Sequence, residues 1–311
     1  MKKVLVIGAS GGMGFAIVNE LLSRGMFEVV VFARTRSKLE RLYGNEPNVS
    51  IVPGDVFDVD ELRAAAQDVE MIFHAMNVPY YEWEAKLPIL MTNMLTVARG
   101  ENARLIAVDN IYAYGRTGSG KVNEDAPKRP HTTKGRLRLR LEDMIKESGI
   151  EYLIAHFPDF YGPHAENTLL NETFRRVVRD QKALFVGDPT IPREYIFTPD
   201  GATALVELSL RADAYGQNWN IPGVGVITGN EILQILRRHG YSKGMTTITK
   251  FMVQMGGLFN PTMREAVEMF YLNERPVILS GDKLERELGV IPCTSYEEGI
   301  ETTLAAMRRS G

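Results

Sequence analysis

Residues 4–14 read Val-Leu-Val-Ile-Gly-Ala-Ser-Gly-Gly-Met-Gly, an apolar run that ends in a glycine-rich turn. A short continuous run of Val, Leu and Ile is how a strand buried on both faces reads. Gly8, Gly11 and Gly14 follow at three-residue spacing, and helical periodicity continues from Gly14 to Arg24. Glycine permits the tight turn and lets a ligand approach the backbone. The free N–H groups at the start of the following helix then make an anion site, with Ser10, Gly11, Gly12 and Met13 as its lining. A strand, glycine turn and helix in this order predict a parallel sheet built from βαβ units.

The rest of the chain extends that pattern. Candidate strands are Val4–Ile7, Val29–Phe32, Val49–Val52, Met71–Phe73, Leu105–Val108 and Tyr152–Ala155. Candidate helices Gly14–Arg24, Ser37–Tyr43, Val59–Ala66, Leu87–Arg99 and Arg136–Ser148 lie between or after them. This alternation predicts an α/β fold, a doubly wound Rossmann parallel sheet with right-handed crossovers. After residue 163 the rhythm changes, and a smaller C-terminal lobe is expected. Composition sets the remaining bounds. The 311 residues are 44% hydrophobic, enough for a large core. The net charge of −3 gives no global basic field for nucleic acid or anionic membranes. No stretch approaches the roughly 18 apolar residues of a membrane span, and the apolar start is too short for a signal peptide. The single cysteine, Cys293, allows no internal disulfide and reads as a packed thiol in a reducing compartment. A cytoplasmic protein is expected.

The second strand bears on what the turn would hold. An acid about 20 residues after a dinucleotide motif would bind the adenosine ribose hydroxyls. Here the tract is Ala33-Arg34-Thr35-Arg36-Ser37-Lys38, with no acid. Arg34 can pair with a 2′-phosphate, assisted by Arg36 or Lys38. NADP(H) is therefore expected in preference to NAD(H).

Longer motifs carry a resemblance. Gly8-x-x-Gly11-x-x-Gly14, Gly54-Asp55-Val56, Phe73-His74-Ala75-Met76-Asn77, Asp109-Asn110-Ile111-Tyr112-Ala113-Tyr114-Gly115 and Pro158-Asp159-Phe160-Tyr161-Gly162-Pro163 follow one another in order. Together they resemble the extended short-chain dehydrogenase/reductase family, the NAD-dependent epimerase/dehydratase group. The resemblance implies adenine contacts at Asp55 and Val56. It implies nicotinamide-side contacts at Ala75, Met76, Asn77 and Pro158. It also implies a dinucleotide domain over 1–163, with 195–228 returning to it, and a substrate lobe over 164–194 and 229–311. The tract Arg193–Asp200 resembles a later strand that the family places near substrate.

The family's catalytic set is altered throughout. Its Ser, Tyr and Lys correspond by position to Asn110, Lys134 and Arg138, with Glu142 as the anchor. Asn110 keeps an amide donor for a carbonyl oxygen. Lys134 would be the general acid, its proton loosened by burial and by Arg138 one turn on. Arg138 would hold the ribose, since a guanidinium does not release a proton. Both could equally be a solvated helix face. Tyr80, Trp83, Tyr112 and Tyr161 follow strand ends, where ligands bind in open α/β sheets, and are expected to line the substrate pocket. The reading is an NADP(H)-dependent oxidoreductase or epimerase-like enzyme acting on a small carbonyl or alcohol. The competing reading is a redox sensor or regulatory binder that has lost turnover.

Other features read as ordinary. The five histidines lack metal-ligand spacing, so no metal is expected. The basic tract 128–140 reads as a helix entry rather than a nucleic-acid patch. The Met-rich segment 251–259 could be a lipophilic lid and reads more simply as core filling. Nothing in the sequence opposes a homodimer.

Overall fold

The computed structural model describes residues 1–289 and 293–310. The first six strands are β1 (Lys2–Ile7), β2 (Phe27–Ala33), β3 (Val49–Pro53), β4 (Met71–His74), β5 (Arg104–Asn110) and β6 (Tyr152–Phe157). The helices among them are α1 (Gly12–Ser23), α2 (Arg36–Tyr43), α3 (Val59–Ala65), α4 (Trp83–Gly100) and α5 (Thr133–Lys146). Then come β7 (Asp159–Tyr161), α6 (Leu169–Val178), β8 (Ala183–Val186), β9 (Arg193–Phe197), α7 (Thr198–Ser209), β10 (Gln217–Asn220), β11 (Val226–Ile227), α8 (Gly229–Arg238) and β12 (Met245–Ile248). The chain closes with α9 (Lys250–Gly256), α10 (Pro261–Ala266), α11 (Tyr271–Glu274), α12 (Asp282–Leu288) and α13 (Tyr296–Ser310).

Seven strands form the central sheet in the order β10-β6-β5-β4-β1-β2-β3, with every pairing parallel. The doubly wound expectation holds. The order reverses between β1 and β4, the crevice where such sheets bind ligands. The apolar runs are explained by burial on both faces: Leu5, Ile7, Val30 and Phe32 pack into one core, and Val4, Val6, Val29 and Val31 into the other. A third core joins Tyr161, Phe174, Phe185, Phe197, Ile232 and Ile300 in the C-terminal part. Two small sheets lie outside the central one, β11-β9-β7 and β12-β8. Helix α7 packs on α1 and β10 extends the central sheet, while β9 pairs with β7 on one side and β11 on the other.

Several local expectations need correction. Helix α4 begins at Trp83 rather than Leu87 and carries Pro88 inside it. The buried Trp83 anchors that start, its indole N–H donating to the Val78 carbonyl. Helix α5 begins at Thr133 rather than Arg136, because the Thr132 hydroxyl caps the Gly135 N–H. The Met-rich segment does not fill a core: Phe251, Leu258 and Phe259 are 68%, 62% and 88% exposed. Cys293 is exposed rather than packed. Among the described residues no helix is long and apolar enough to cross a membrane.

Candidate active site

The glycine turn is built as a cradle. Gly8 sits at φ +85°, and a Cβ there would lie 2.8 Å from the Met76 nitrogen. A Cβ on Gly14 would lie 2.2 Å from the Gly8 carbonyl oxygen. Only glycine fits either position. The Tyr43 hydroxyl donates to the Ala9 carbonyl at 2.6 Å and ties α2 to the turn. Gly11 is the N-cap of α1, and no side chain caps that helix. Its first N–H groups therefore remain available to an anion. Backbone at Ala75 and Met76 closes against Gly8, which puts the end of β4 beside the turn. These residues fit a dinucleotide pyrophosphate.

The proposed adenosine side is basic and open. Arg34 follows directly after β2 and is exposed. Arg36 pairs with Glu40 at 3.4 Å, and Lys38 with Glu166 at 3.4 Å. Asp55 folds back on its own turn and accepts from the Phe57 N–H at 3.1 Å. Val56 is buried. Asn77 accepts from the Val78 N–H at 3.0 Å. Pro158 is buried directly before β7.

Beyond the sheet edge an aromatic and charged cluster assembles. The Tyr80 and Tyr112 hydroxyls are 2.5 Å apart. Trp83 stacks on Tyr112 and meets Tyr80 edge-on. Burial pushes the Tyr80 hydroxyl up to about 12 and the Tyr112 hydroxyl well above its usual value. Both phenols therefore keep their protons near neutrality. Asn110 Oδ1 accepts from the Tyr112 N–H at 3.0 Å, so the carboxamide also orients the segment carrying Tyr112.

Lys134 and Arg138 are not a solvated face. They are 3% and 6% exposed. Lys134 Nζ donates to Glu265 at 2.6 Å and to Glu268 at 2.9 Å, and lies 5.4 Å from the Tyr80 ring centroid. Glu268 also accepts from the Thr133 and Lys134 N–H groups, so it caps α5 from the C-terminal lobe. Arg138 pairs with Asp109 at 3.3 Å and lies 4.3 Å from the Trp83 ring centroid. Its Nε has no hydrogen-bond partner among the described residues, and neither has His74 Nδ1. Burial, with Arg138 nearby, lowers His74 to about 3, so its ring is neutral. Orphaned buried polar atoms are uncommon and mark a place worth explaining.

A buried network supports this cluster from behind. His156 Nδ1 lies 3.1 Å from the Asn110 carbonyl oxygen, which can only accept, so that nitrogen carries the proton. Its Nε2 then accepts from Lys128 at 2.9 Å. Lys128 also pairs with Glu142, which takes further bonds from Lys146 and Asn218. Asp109, Glu142 and His156 have ligand atoms within 4.8 Å of one another. Each carboxylate already has a cationic partner, so a dication there would meet Lys128, Lys146 and Arg138.

Not every expected residue joins the cluster. Tyr161 sits in the third core, against Phe174, Phe197 and Tyr296. The sequence reading also missed Glu265 and Glu268, which lie more than 120 residues from Lys134. It passed over Asp159, the first residue of β7, whose carboxyl burial pushes up, partly offset by Arg193. The available signal was a charged residue at the carboxyl end of an apolar strand.

Comparisons with known proteins place this geometry. Residues 8–194 match the family described as NAD(P)H-binding. A dTDP-glucose 4,6-dehydratase of Xanthomonas campestris pv. campestris is 23% identical, the match covering 96% of this chain and 91% of that protein. The structure of a dTDP-glucose 4,6-dehydratase from Bacillus anthracis in complex with NAD superposes with a TM-score of 0.82 at 17% identity, covering 99% of this chain and 97% of the other. That of a UDP-glucuronic acid 4-epimerase from Bacillus cereus, also with NAD, gives 0.80 at 18% identity and 99% coverage of both chains.

Proposed function

The chain belongs to the NAD(P)H-binding family, and on that premise we propose that it is an NADP(H)-dependent oxidoreductase or epimerase-like enzyme acting on a carbonyl or alcohol. The observation that carries this reading is the convergence of two features on one sheet edge. The glycine cradle lies beside the end of β4, and the Lys134–Tyr80–Tyr112 cluster lies beyond the ends of β4 and β5. NADP(H) is favoured because Arg34 stands at the end of β2 with no carboxylate beside it in the sequence. The similar proteins, by name, act on dTDP-glucose and UDP-glucuronic acid, so nucleotide sugars join small carbonyls and alcohols as candidate substrates.

When bound, the nicotinamide would supply or take up a hydride. The chain's own residues would do the rest. Gly11, Gly12 and Met13 would hold the pyrophosphate, with Arg34 and Lys38 at a 2′-phosphate. The Asn110 amide N–H would orient a substrate oxygen. An ammonium has three N–H bonds, and Glu265 and Glu268 take two from Lys134. The third would stabilise negative charge developing on that oxygen. The proton would come from Lys134 itself or through the Tyr80–Tyr112 pair. Arg138 would keep Asp109 compensated and present Nε toward the ribose.

A catalytically silent cofactor binder is the second reading, favoured by the closure of Lys134 in a triad with two glutamates. NADPH oxidation measured across a panel of carbonyls and nucleotide-sugar ketones separates the two. Turnover that Lys134→Met abolishes supports the enzyme. Tight NADPH binding with no turnover on any member of the panel supports the silent binder.

A further inference from the structure

The loop between β7 and α6, residues 162–168, crosses from the C-terminal lobe onto the glycine turn. It is fastened at its base by Asn171, which accepts from the Gly162 N–H at 3.2 Å and donates to the Gly162 carbonyl at 2.7 Å. The Thr168 hydroxyl donates to the Ala165 carbonyl at 3.1 Å, and Arg175 donates to the Glu166 carbonyl at 2.6 Å. Between these anchors the loop makes three contacts with the dinucleotide half of the fold. Ala165 fills the space beside Gly12, its Cα 2.6 Å from where a Cβ would stand. The His164 ring lies 4.1 Å from the Phe15 ring on α1, and His164 adopts φ +59°, which is strained for a non-glycine residue. The Glu166 carboxylate pairs with Lys38 of α2 at 3.4 Å.

These contacts touch α1 at Gly12 and Phe15 and α2 at Lys38. They run from the helix N-terminus that would hold the pyrophosphate to the basic start of α2 that would hold the 2′-phosphate. The loop thus lies along the path of the adenosine half. At the far end of that path a carboxylate already holds the ammonium that a phosphate would need. Lys38 is 28% exposed at its side chain and Glu166 56%, so the pair is weak enough to be displaced. A dianionic phosphate competes for the same cation more strongly than one carboxylate does.

We propose that Glu166 is a specificity-determining residue, a gate that holds Lys38 until a 2′-phosphate displaces it. The inference rests on the NADP(H) reading above. Glu166 lowers the affinity for any cofactor carrying the 2′-phosphate, through competition for Lys38. NADH lacks that group and is indifferent to the gate.

Glu166→Gln keeps the shape of the side chain and removes its charge. Dissociation constants and dissociation rates for NADPH and NADH are measured by cofactor fluorescence on wild type, Glu166→Gln, Lys38→Met and the double variant. The expected result is NADPH bound about three- to fivefold tighter by Glu166→Gln, with NADH unchanged and the gain absent in the Lys38→Met background. A Glu166→Gln variant that leaves the NADPH-to-NADH affinity ratio of wild type overturns the gate. So does an equal gain for both cofactors, or a gain that survives in the Lys38→Met background. The wild-type ratio alone tests the NADP(H) reading. If wild type binds both cofactors equally, that reading fails. An NADPH preference that then appears only in Glu166→Gln still supports the gate.

Discussion

Two glycines of the turn should respond to the same substitution in opposite ways. A methyl group on Gly14 would stand 2.2 Å from the Gly8 oxygen and 2.7 Å from the Gly8 carbonyl carbon. Favourable contact between unbonded heavy atoms begins at about 3.5 Å, so the backbone of β1 or α1 must shift. Overpacking of this kind costs about 2–3 kcal/mol, a fall in Tm of roughly 3–5 °C for a chain of this size. Gly11 differs. Its φ of −92° and ψ of 167° suit any residue, and a Cβ there would meet only the Gly8 oxygen, at 3.5 Å. Alanine is a poorer N-cap than glycine, a cost of under about 1 kcal/mol. That methyl group would, however, stand at the mouth of the anion cradle. Gly11→Ala should therefore keep its fold and lose NADPH affinity by about tenfold or more, ~1.4 kcal/mol. Thermal unfolding and fluorescence titration read the two effects separately. Wild-type NADPH affinity in Gly11→Ala would refute the placement of the pyrophosphate on this turn.

Further outcomes follow from the cluster beyond the turn. Lys134→Met should abolish turnover while NADPH affinity stays nearly intact. Its partners Glu265 and Glu268 are 38% and 28% exposed at their side chains, so water screens them and the stability loss should be about 1 kcal/mol. A fully active variant in a steady-state assay removes Lys134 from the chemistry. Arg138→Met should weaken cofactor binding and also strand the buried Asp109, a cost of about 3–5 kcal/mol read by thermal unfolding. Tyr112→Phe should lower kcat more than KM if the phenol pair carries the proton, and equal effects on both would argue against that role. Glu194 gives a pH signature. Burial raises its carboxyl to about 7 from 4.5, despite N–H donors from Leu279 and Gly223. The folded state then binds more protons than the unfolded one between those values. Its stability contribution is full below 4.5 and is lost as pH rises through about 7, by roughly 3 kcal/mol. Glu194→Gln should flatten that limb of a Tm-against-pH curve, and an unchanged slope would contradict the assignment.

What could be read from the sequence follows from how local its causes are. The glycine turn and the six strands before residue 160 were legible because burial on two faces writes continuous apolar runs. Lys134 and Arg138 were legible only through the family resemblance, while the spacing starts the helix at Arg136 and leaves Lys134 outside it. Their environment was not legible. Glu265 and Glu268 reach Lys134 from a C-terminal segment whose polar residues look solvated in sequence. Tyr161 looked like its neighbours at strand ends, yet β7 turns it into the C-terminal core. The exposed Phe251 and Phe259 read as core because hydrophobicity alone does not say which face an amphipathic segment leaves uncovered. The His156–Lys128–Glu142 network joins three chain segments and leaves no local pattern.

The central claim is that the cradle and the basic tract after β2 bind a dinucleotide through its 2′-phosphate. The most direct measurement is a pair of fluorescence titrations, NADPH and NADH, on wild type and on Arg34→Ala. Wild type should bind NADPH at least about tenfold tighter than NADH, ~1.4 kcal/mol, and Arg34→Ala should lose most of this difference by weakening NADPH alone. Equal wild-type affinities, a preference for NADH, or an Arg34→Ala variant that weakens both cofactors alike would contradict the claim.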